Sequence, residues 1–164
     1  MSGSWRVRAA THDDVPPAAV AVRELLVELG GTPPPTSAME AAARALLDDR
    51  NAGTLLVAQA DGALVETEAD GAIIGVLGAS WQTAIHVPGR YALIQDLWVH
   101  RSWRGRAIGR GLLKALIELT HELQIARVEV GLPREGYAGL AATEAFYLGN
   151  GFTQLGPRMR RILA

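Results

Sequence analysis

The sequence contains no cysteine, which excludes disulfides, thiolate nucleophiles and cysteine-ligated zinc or iron–sulfur sites. No apolar run reaches the roughly 18 residues of a membrane span. No apolar core follows Arg6 and Arg8, as it would in a signal peptide. The formal net charge is −1, so the chain as a whole has no basic field to hold nucleic acid. We therefore expect a cytoplasmic protein that binds neither membrane nor nucleic acid.

The composition is typical of one globular domain. Of 164 residues, 49% are hydrophobic and 20% charged, which is enough apolar material for a core. We expect a single domain over residues 1–164. No spacing of histidine and carboxylate residues resembles a metal site, so we expect no metal.

The hydrophobic pattern predicts a mixed α/β domain with helices on both faces of the sheet. A capping box is predicted at Ser37–Glu40, a turn at His86–Arg90, and one or two closing strands within Phe152–Leu163. The other predicted strands are Trp5–Arg8, Thr54–Ala60, Ala72–Ile85, Tyr91–Val99 and Arg127–Leu132, and the predicted helices are Pro16–Leu29, Ser37–Asp49, Ile108–Leu123 and Ala141–Gly149.

The most informative stretch is Trp98–Leu112, a strand end followed by a compact loop and an amphipathic helix. A helix N-terminus presents unpaired amides and attracts phosphate. The stretch contains three glycines that allow close backbone approach and three arginines that add charge: Gly105, Gly109, Gly111, Arg104, Arg106 and Arg110. The alternative is a tight turn with solvated arginines. It is neither a Walker loop nor a GxGxxG fingerprint.

Arg104–Gly109 resembles the acetyl-CoA loop of the GCN5-related N-acetyltransferase (GNAT) superfamily, Arg/Gln-x-x-Gly-x-Gly/Ala. Ala107 stands at the usual first glycine, and we expect an αR-compatible alanine there to offer its amide still. Ile94–Val99 resembles the family's fourth strand, and Ala145–Phe152 its Phe-Tyr-x-x-x-Gly-Phe segment. The order and spacing of these motifs agree over nearly the whole chain from Trp5.

This resemblance implies the GNAT fold, a mostly antiparallel mixed sheet whose fourth and fifth strands splay into a wedge. It implies acetyl-CoA as co-substrate, with pantetheine between Gln95–Val99 and Glu129–Leu132, and pyrophosphate on the amides of Arg106–Gly111. The thioester carbonyl would meet amides near Trp98. The implied binding residues are Leu97, Trp98, Val99, Arg104, Arg106, Ala107, Ile108, Gly109, Arg110 and Gly111.

Two residues are the catalytic candidates that the resemblance brings forward. Tyr147 would be the acid that protonates the departing thiolate, and the alternative is that it packs in the core with Phe146. Gln95 stands where relatives often have Glu and cannot serve as a base. Asp96 is the nearest carboxylate, with Glu129 or a water chain as other routes, and Asp96 could instead cap local amides.

The resemblance implies an N-acetyltransferase acting on the primary amine of a small molecule. The alternatives are a protein N-terminal or lysine acetyltransferase and a non-catalytic acyl-CoA-binding sensor. Acidic residues Glu66, Glu68 and Asp70 would favour a cationic acceptor, unless they form a solvated hairpin tip. Leu140 replaces the family's asparagine, and nearby Tyr137 either contacts substrate or packs. The apolar face of Ala72–Ile85, with Trp81, is the surface through which a homodimer could form.

Overall fold

The computed structural model describes residues 4–62 and 71–163. Two compact units divide the chain, Met1–Val130 and Gly131–Ala164. The predicted acidic residues Glu66, Glu68 and Asp70 lie outside the described residues. The first unit contains strands β1 (Trp5–Ala9), β2 (Gly53–Ala60), β3 (Ile73–Ala84), β4 (Val87–Val99) and β5 (Val128–Val130) and helices α1 (Val15–Glu28), α2 (Thr36–Asp48) and α3 (Ile108–Glu122); the second contains α4 (Leu140–Leu148).

The sheet has the order β1-β2-β3-β4-β5. Its first four strands pair antiparallel, and β5 pairs parallel to β4 through only three residue pairs, from Ala92–Val128 to Ile94–Val130. The predicted fold class, a mostly antiparallel mixed sheet, is therefore confirmed. The pairing of β4 with β5 ends at Ile94, and β4 continues to Val99 without β5, as the predicted wedge between the two strands requires.

Helices cover both faces of this sheet. On one face Ala18 of α1 packs in a buried cluster with Leu55 and Trp98, and α2 packs against the same cluster. On the other face α3 lies close to the strands, because a Cβ added at Gly75 would lie 2.9 Å from Ile108 Cγ2. Glycine at position 75 thus permits the close approach of α3 to β3.

A β-bulge at Gln95 changes which side chains share a face of β4. Gly78 pairs with Asp96 and Ala79 with Ile94, so Gln95 has no partner in β3. Directly opposite residues share a face, and successive residues of β3 alternate. Simple alternation would place Ile94 and Asp96 on the same face; the bulge puts them on opposite faces, with Asp96 on the side of α1 and α2.

The start of α2 differs from the prediction of a capping box at Ser37. The helix begins at Thr36, and the Pro35 carbonyl accepts hydrogen bonds from the amides of Ala38 and Met39. Pro35 has a ψ of 140° and no side-chain cap is formed. Proline thus ends the extended linker directly at the helix, which leaves Ser37 inside the first turn.

The turn between β3 and β4 lies earlier than predicted. Ala84 pairs with Val87, so the hairpin turns at Ile85 and His86. The sequence Val-Pro-Gly belongs to β4, and Gly89 there has a φ of 78°. Opposite this segment, the pairing register of β3 shifts between Thr83 and Ala84. A local irregularity accommodates the proline and glycine that sequence patterns associate with turns.

The segment Ala72–Ile85, expected as a possible dimer surface, does not offer a free strand edge. The strand β3 lies between β2 and β4 rather than at an edge. Trp81 is buried, and its indole Nε1 donates to the Arg50 carbonyl at 3.0 Å. The oligomeric state stays a prediction, but this strand has its pairing groups occupied within the chain.

In the second unit, the only regular element among residues 131–163 is α4. The predicted closing strands within Phe152–Leu163 were wrong, since that segment is irregular and mostly exposed. Gly156 has a φ of 138°, and Pro157 has no N–H to donate to a ladder. Tyr137 packs against Gly139, where an added Cβ would lie 2.6 Å from the Tyr137 ring.

Candidate active site

The N-terminus of α3 presents unpaired backbone amides. The Gly111 amide donates to the Ala107 carbonyl at 2.9 Å, which is the first bond of the helix. The amides of Ile108, Gly109 and Arg110 have no partner among the described residues. Three of the predicted phosphate-binding amides are therefore available, whereas that of Gly111 is already used.

Gly111 has a packing role. A Cβ at this position would lie 2.6 Å and 2.7 Å from two ring atoms of Trp5, so a side chain would push α3 away from β1. Glycine at position 111 therefore allows the N-terminus of α3 to lie close to β1, and its role is not to let a ligand approach the backbone.

Ala107 adopts a left-handed conformation, with φ 61° and ψ 14°. The expectation of an αR-compatible alanine was therefore wrong. The residue must reverse the chain direction immediately before the helix, and Gly105, with a φ of 78°, makes the preceding turn. An alanine in this region costs about 1–2 kcal/mol, which explains why a glycine is usual at this position of the motif.

The three predicted arginines have different surroundings. Arg104 donates from Nη2 to both carboxylate oxygens of Glu28, at 2.9 and 2.8 Å, and from Nε to the Val99 carbonyl at 3.1 Å. The Arg106 guanidinium lies 4.8 Å from the Trp103 ring centroid, which is a cation–π distance. Arg110 is exposed and makes no ion pair or hydrogen bond to any described side chain. Arg110 is thus the cation best placed to receive an anion at the helix start.

Beyond Ile94 the strand β4 has backbone groups that β5 does not pair. The His100 amide donates to the Ile74 carbonyl at 2.8 Å, which shows that residue 100 faces β3. Alternate residues of an antiparallel strand face the same neighbour. Trp98 consequently faces β3 as well, while Leu97 and Val99 face the edge on the side of β5.

This alternation refines the predicted oxyanion site near Trp98. The Trp98 amide is directed to β3, so the outward amides on either side, those of Leu97 and Val99, are the donors that an open edge offers. The outward direction of Val99 agrees with its carbonyl accepting from Arg104.

The side chain of Trp98 contains a further buried polar atom. Its indole Nε1 has no hydrogen-bond partner among the described residues.

An apolar cavity of about 280 Å³ lies between α1, α2 and the inner strands. Its walls come from α1 and α2 and its floor from β2, β3 and β4. The side chains are aliphatic with one exception, the carboxylate of Asp96. Residues that define the walls and floor include Val22, Leu26, Met39, Ala42, Leu55 and Gly78.

The Asp96 carboxylate has no hydrogen bond or ion pair with any described residue. The interpretation that it caps local amides was therefore wrong. Burial raises the pKa of the Asp96 carboxyl above its ordinary value, because an apolar environment disfavours the charged form. A half-buried carboxylate without a partner is a strong binding element for a cation, and with a raised pKa it is a better proton acceptor than an ordinary aspartate.

Other polar residues that bear on the choice of a base already have partners. Gln95 donates from Nε2 to Ser80 Oγ at 2.9 Å. Glu129 pairs with Arg127, with 3.4 Å between Oε1 and Nη1. His12 lies 3.0 Å from Asp48, and His100 Nδ1 accepts from the Ser102 amide at 3.3 Å. Of the described residues, no three His, Asp or Glu side chains gather as a metal site would require.

Tyr147 belongs to the second unit and is buried there in α4. Its ring makes edge-on contacts with Phe146 and Phe152, both with centroids 5.2 Å apart. The Tyr147 ring therefore packs with Phe146, as the alternative interpretation expected, but the Tyr147 hydroxyl has no hydrogen bond to the described residues. Burial raises the pKa of Tyr147 to about 12, so this hydroxyl keeps its proton throughout the neutral range.

Known proteins resemble this chain in sequence pattern and in fold. Residues 21–152 match the sequence model of the acetyltransferase (GNAT) family. The chain belongs to the GNAT family. No curated protein is significantly similar in sequence. Of the described helices, none combines the length and apolar character that a membrane span requires.

Solved structures share this GNAT fold at low sequence identity. An aminoglycoside N-acetyltransferase, AAC(6')-Iy, in complex with CoA has a TM-score of 0.75 and 13% identity, with 99% of this chain and 97% of that chain covered. Glucosamine-6-phosphate N-acetyltransferase from Arabidopsis thaliana gives 0.73 and 13%, with 98% and 99% covered. A GNAT family acetyltransferase of Staphylococcus aureus gives 0.69 and 16%, also with 98% and 99% covered.

Sequence reasoning missed the apolar cavity of this GNAT domain. The available signal was the small residues that line it: Ala18 and Ala19 on α1, Ala38 and Ala42 on α2, and Gly78 opposite Asp96. Alanines on helices are ordinary in sequence, because alanine has the best helix propensity. Only the packing shows that they leave space beside one carboxylate.

Proposed function

We propose that the protein is an N-acetyltransferase, which transfers an acetyl group from acetyl-CoA directly to the primary amine of a small molecule. The observation that carries the proposal is the N-terminus of α3, where three free amides and Arg110 lie in one loop-helix junction. Such a junction binds phosphate through hydrogen bonds and the helix dipole.

The residues present fit acetyl-CoA. The amides of Ile108, Gly109 and Arg110, with the Arg110 guanidinium, would hold the pyrophosphate. The outward backbone groups of Leu97 and Val99 would hydrogen-bond the pantetheine arm as a neighbouring strand would. Arg104 would stabilise the loop through Glu28, and Arg106 would add positive charge beside Trp103.

The reaction conserves atoms and charge without a covalent enzyme intermediate. Starting from the ammonium form of the acceptor, one proton leaves the nitrogen, the neutral amine forms a bond to the acetyl carbonyl carbon, and the carbon–sulfur bond breaks; the products are an N-acetyl amine, a CoA thiol and that one proton. An outward amide of β4, at Leu97 or Val99, would donate to the carbonyl oxygen as negative charge develops.

Asp96 and Tyr147 would handle the protons. The Asp96 carboxylate, unpartnered and partly desolvated, would accept a proton from the bound ammonium group, which then attacks as the neutral amine. Tyr147 would donate a proton to the departing thiolate, because its hydroxyl stays protonated in the neutral range. General acid and base catalysis typically contributes about 10²–10⁴ in rate for each such group.

The acceptor, location and domain boundaries are parts of the same proposal. A small-molecule amine is favoured because Asp96 lies in a concave apolar pocket of limited volume, and solved relatives include aminoglycoside and glucosamine-6-phosphate N-acetyltransferases. We place the protein in the cytoplasm, where acetyl-CoA is made and used. We treat residues 1–164 as one acetyltransferase domain.

Thermal melting with CoA and acetyl-CoA tests this proposal. A ligand at a hundred times its Kd adds about 2.7 kcal/mol of stability, so the melting temperature is expected to rise by about 5–10 °C. Gly109→Asp should remove this shift, because a carboxylate would oppose the pyrophosphate at the helix start.

The matched control is Gly109→Asn, which has nearly the same shape without the charge. The backbone at position 109 is helical, so both variants should fold. A melting temperature that saturating CoA leaves unchanged in the wild-type protein would remove the basis of the proposal. An equal shift in wild type and Gly109→Asp would place the pyrophosphate elsewhere.

A further inference from the structure

We propose that the apolar cavity between α1 and α2 binds the body of the acceptor, and that the acceptor is a primary amine on a compact hydrophobic group of about eight to ten carbons. This inference rests on the proposed function, because it names the substrate class of that site. It differs from the solved relatives that act on aminoglycosides or a phosphorylated aminosugar, whose substrates are polar.

The lining determines the chemistry that the cavity accepts. Its walls are aliphatic, from Val22 and Leu26 on α1 and from Met39 and Ala42 on α2. A polyhydroxylated acceptor would lose its hydrogen bonds to water without finding partners here. A hydrocarbon group would gain about fourfold in affinity for each methylene that it buries.

The size limits the length of that group. An apolar cavity of about 150 Å³ holds one benzene molecule, and the cavity here measures about 280 Å³. A ring with a two-carbon arm, or a branched chain of similar volume, fits this space. The second ammonium group of a polyamine would find no further carboxylate among the described residues that line this space.

The position of Asp96 determines the charge and orientation. Among the described residues that line the cavity it is the only charged one, and no described residue pairs with it. An ammonium group at this carboxylate would provide the missing counter-charge. The hydrocarbon body would then extend from Asp96 along α1 and α2.

Gly78 makes the carboxylate accessible from the cavity. It lies opposite Asp96 in the sheet, and a Cβ at this position would lie 3.6 Å from Asp96 Oδ2 and 4.0 Å from Leu55 Cδ1. These are ordinary contact distances, so Gly78→Ala should fold. The added methyl group would occupy the space directly beside the carboxylate, where the nitrogen binds.

Initial rates with a graded series of primary amines test the inference. We expect kcat/KM to rise about fourfold per methylene from ethylamine to hexylamine, to be highest near 2-phenylethylamine, and to be low for putrescine and glucosamine. Ala42→Leu, which fills the cavity from α2, should lower kcat/KM for 2-phenylethylamine at least tenfold and leave the KM of acetyl-CoA unchanged. Gly78→Ala should give a similar loss.

The matched control is Ala41→Leu, because residue 41 is the neighbour of Ala42 on α2, is exposed as Ala42 is, and does not line the cavity. It should leave the rates with every amine unchanged. Calorimetric titration of the wild-type protein with 2-phenylethylamine and with 2-phenylethanol gives a readout independent of turnover. The amine should bind at least tenfold more tightly, and Ala42→Leu should weaken its binding.

Several outcomes would overturn the inference. Equal or better rates with putrescine or glucosamine would show that the cavity does not select the acceptor. A loss in Ala42→Leu that follows the length of the acyl chain, tested with hexanoyl-CoA against acetyl-CoA, would assign the cavity to the acyl group. If CoA raises the melting temperature but no apolar amine is preferred, this inference fails while the proposed function stands. If 2-phenylethylamine binds and Ala42→Leu abolishes its binding, but no turnover occurs, the cavity binds apolar amines as inferred while the proposed acetyltransferase function fails.

Discussion

Arg104 and Glu28, which are 76 residues apart, form a two-point contact in which Arg104 Nη2 donates to both oxygens of the Glu28 carboxylate. The same guanidinium donates from Nε to the Val99 carbonyl. Arg104, the first residue of the proposed acetyl-CoA loop, is thereby attached to the end of α1 and to the end of β4. Its positive charge is largely neutralised, whereas Arg110 and Arg106 have no carboxylate partner among the described residues, and of these two only Arg110 lies within α3.

Because Arg104 is paired and Arg110 is not, replacing each by alanine should affect a different property of the protein. Arg104→Ala should lower the free energy of unfolding by about 1 kcal/mol, since it removes an exposed ion pair and a hydrogen bond. Arg110→Ala should leave stability unchanged and weaken acetyl-CoA binding about tenfold or more, the scale of one charge-assisted hydrogen bond. Urea unfolding and calorimetric titration measure the two quantities. Stronger loss of binding in Arg104→Ala than in Arg110→Ala would contradict these roles.

Ala107→Gly should stabilise the protein. Relief of the left-handed conformation gains about 1–2 kcal/mol, and the greater freedom of glycine in the unfolded chain costs about 0.4–1 kcal/mol. A net gain of about 0–1.6 kcal/mol in urea unfolding is expected. Ala115→Gly, within α3, is the control and should cost about 1 kcal/mol. Loss of stability in both variants would show that Ala107 is not strained.

Asp96→Asn should raise stability at neutral pH by about 1 kcal/mol or more, because it removes a desolvated charge that has no partner. Burial raises the folded-state pKa of Asp96, so the folded protein binds this proton more tightly than the unfolded chain. The wild type consequently loses stability as pH rises from the ordinary value of 3.8 through the raised pKa. The advantage of the variant should grow over that window and then level off.

Unfolding midpoints in urea between pH 3 and pH 8 measure this dependence. Asp13→Asn, at an exposed position, serves as the control and should show little change. A variant advantage that is greatest at the acid end would mean that Asp96 is stabilised as a carboxylate in the folded protein.

Tyr147→Phe should lower kcat by about 10²–10⁴ while acetyl-CoA binding stays near that of the wild type. The substitution keeps the ring contacts with Phe146 and Phe152 and removes only the hydroxyl. Because burial raises the pKa of Tyr147 to about 12, its loss of a proton should not limit the rate at or below pH 9. Tyr137→Phe removes a hydroxyl from the same unit and should leave kcat unchanged. An undiminished kcat in Tyr147→Phe, where chemistry limits the rate, would leave Tyr147 with packing alone.

The sequence predicted the elements whose periodicity is long and regular. The helix from Ile108 follows from leucines at helical spacing, and β3 and β4 follow from extended apolar runs, so their bounds differ from the structure by a few residues. The closing strands failed because an apolar pattern at Phe152–Leu163 does not reveal whether a neighbouring strand is available. Gly156 and Pro157 locally oppose a ladder.

The candidate site was predictable where a backbone motif creates it and hidden where packing creates it. The helix start at Ile108 could be read from the order of loop and helix residues. The pairing of Arg104 with Glu28 joins residues that are distant in the chain, and the bulge at Gln95 depends on the register with β3. The cavity beside Asp96 arises from the absence of side chains at Gly78 and at several alanines, a feature of tertiary packing that no single residue signals.

The most direct test of the central claim is the release of CoA thiol from acetyl-CoA by the purified protein, measured together with the mass of the amine product. With 2-phenylethylamine as acceptor we expect one thiol per N-acetylated amine, a rate that Gly109→Asp abolishes, and no thiol release without acceptor. A protein that binds acetyl-CoA but yields neither thiol nor acetylated amine, across apolar amines, polyamines, aminoglycosides, amino acids and peptides, would be an acyl-CoA-binding sensor and would contradict the assignment as an acetyltransferase.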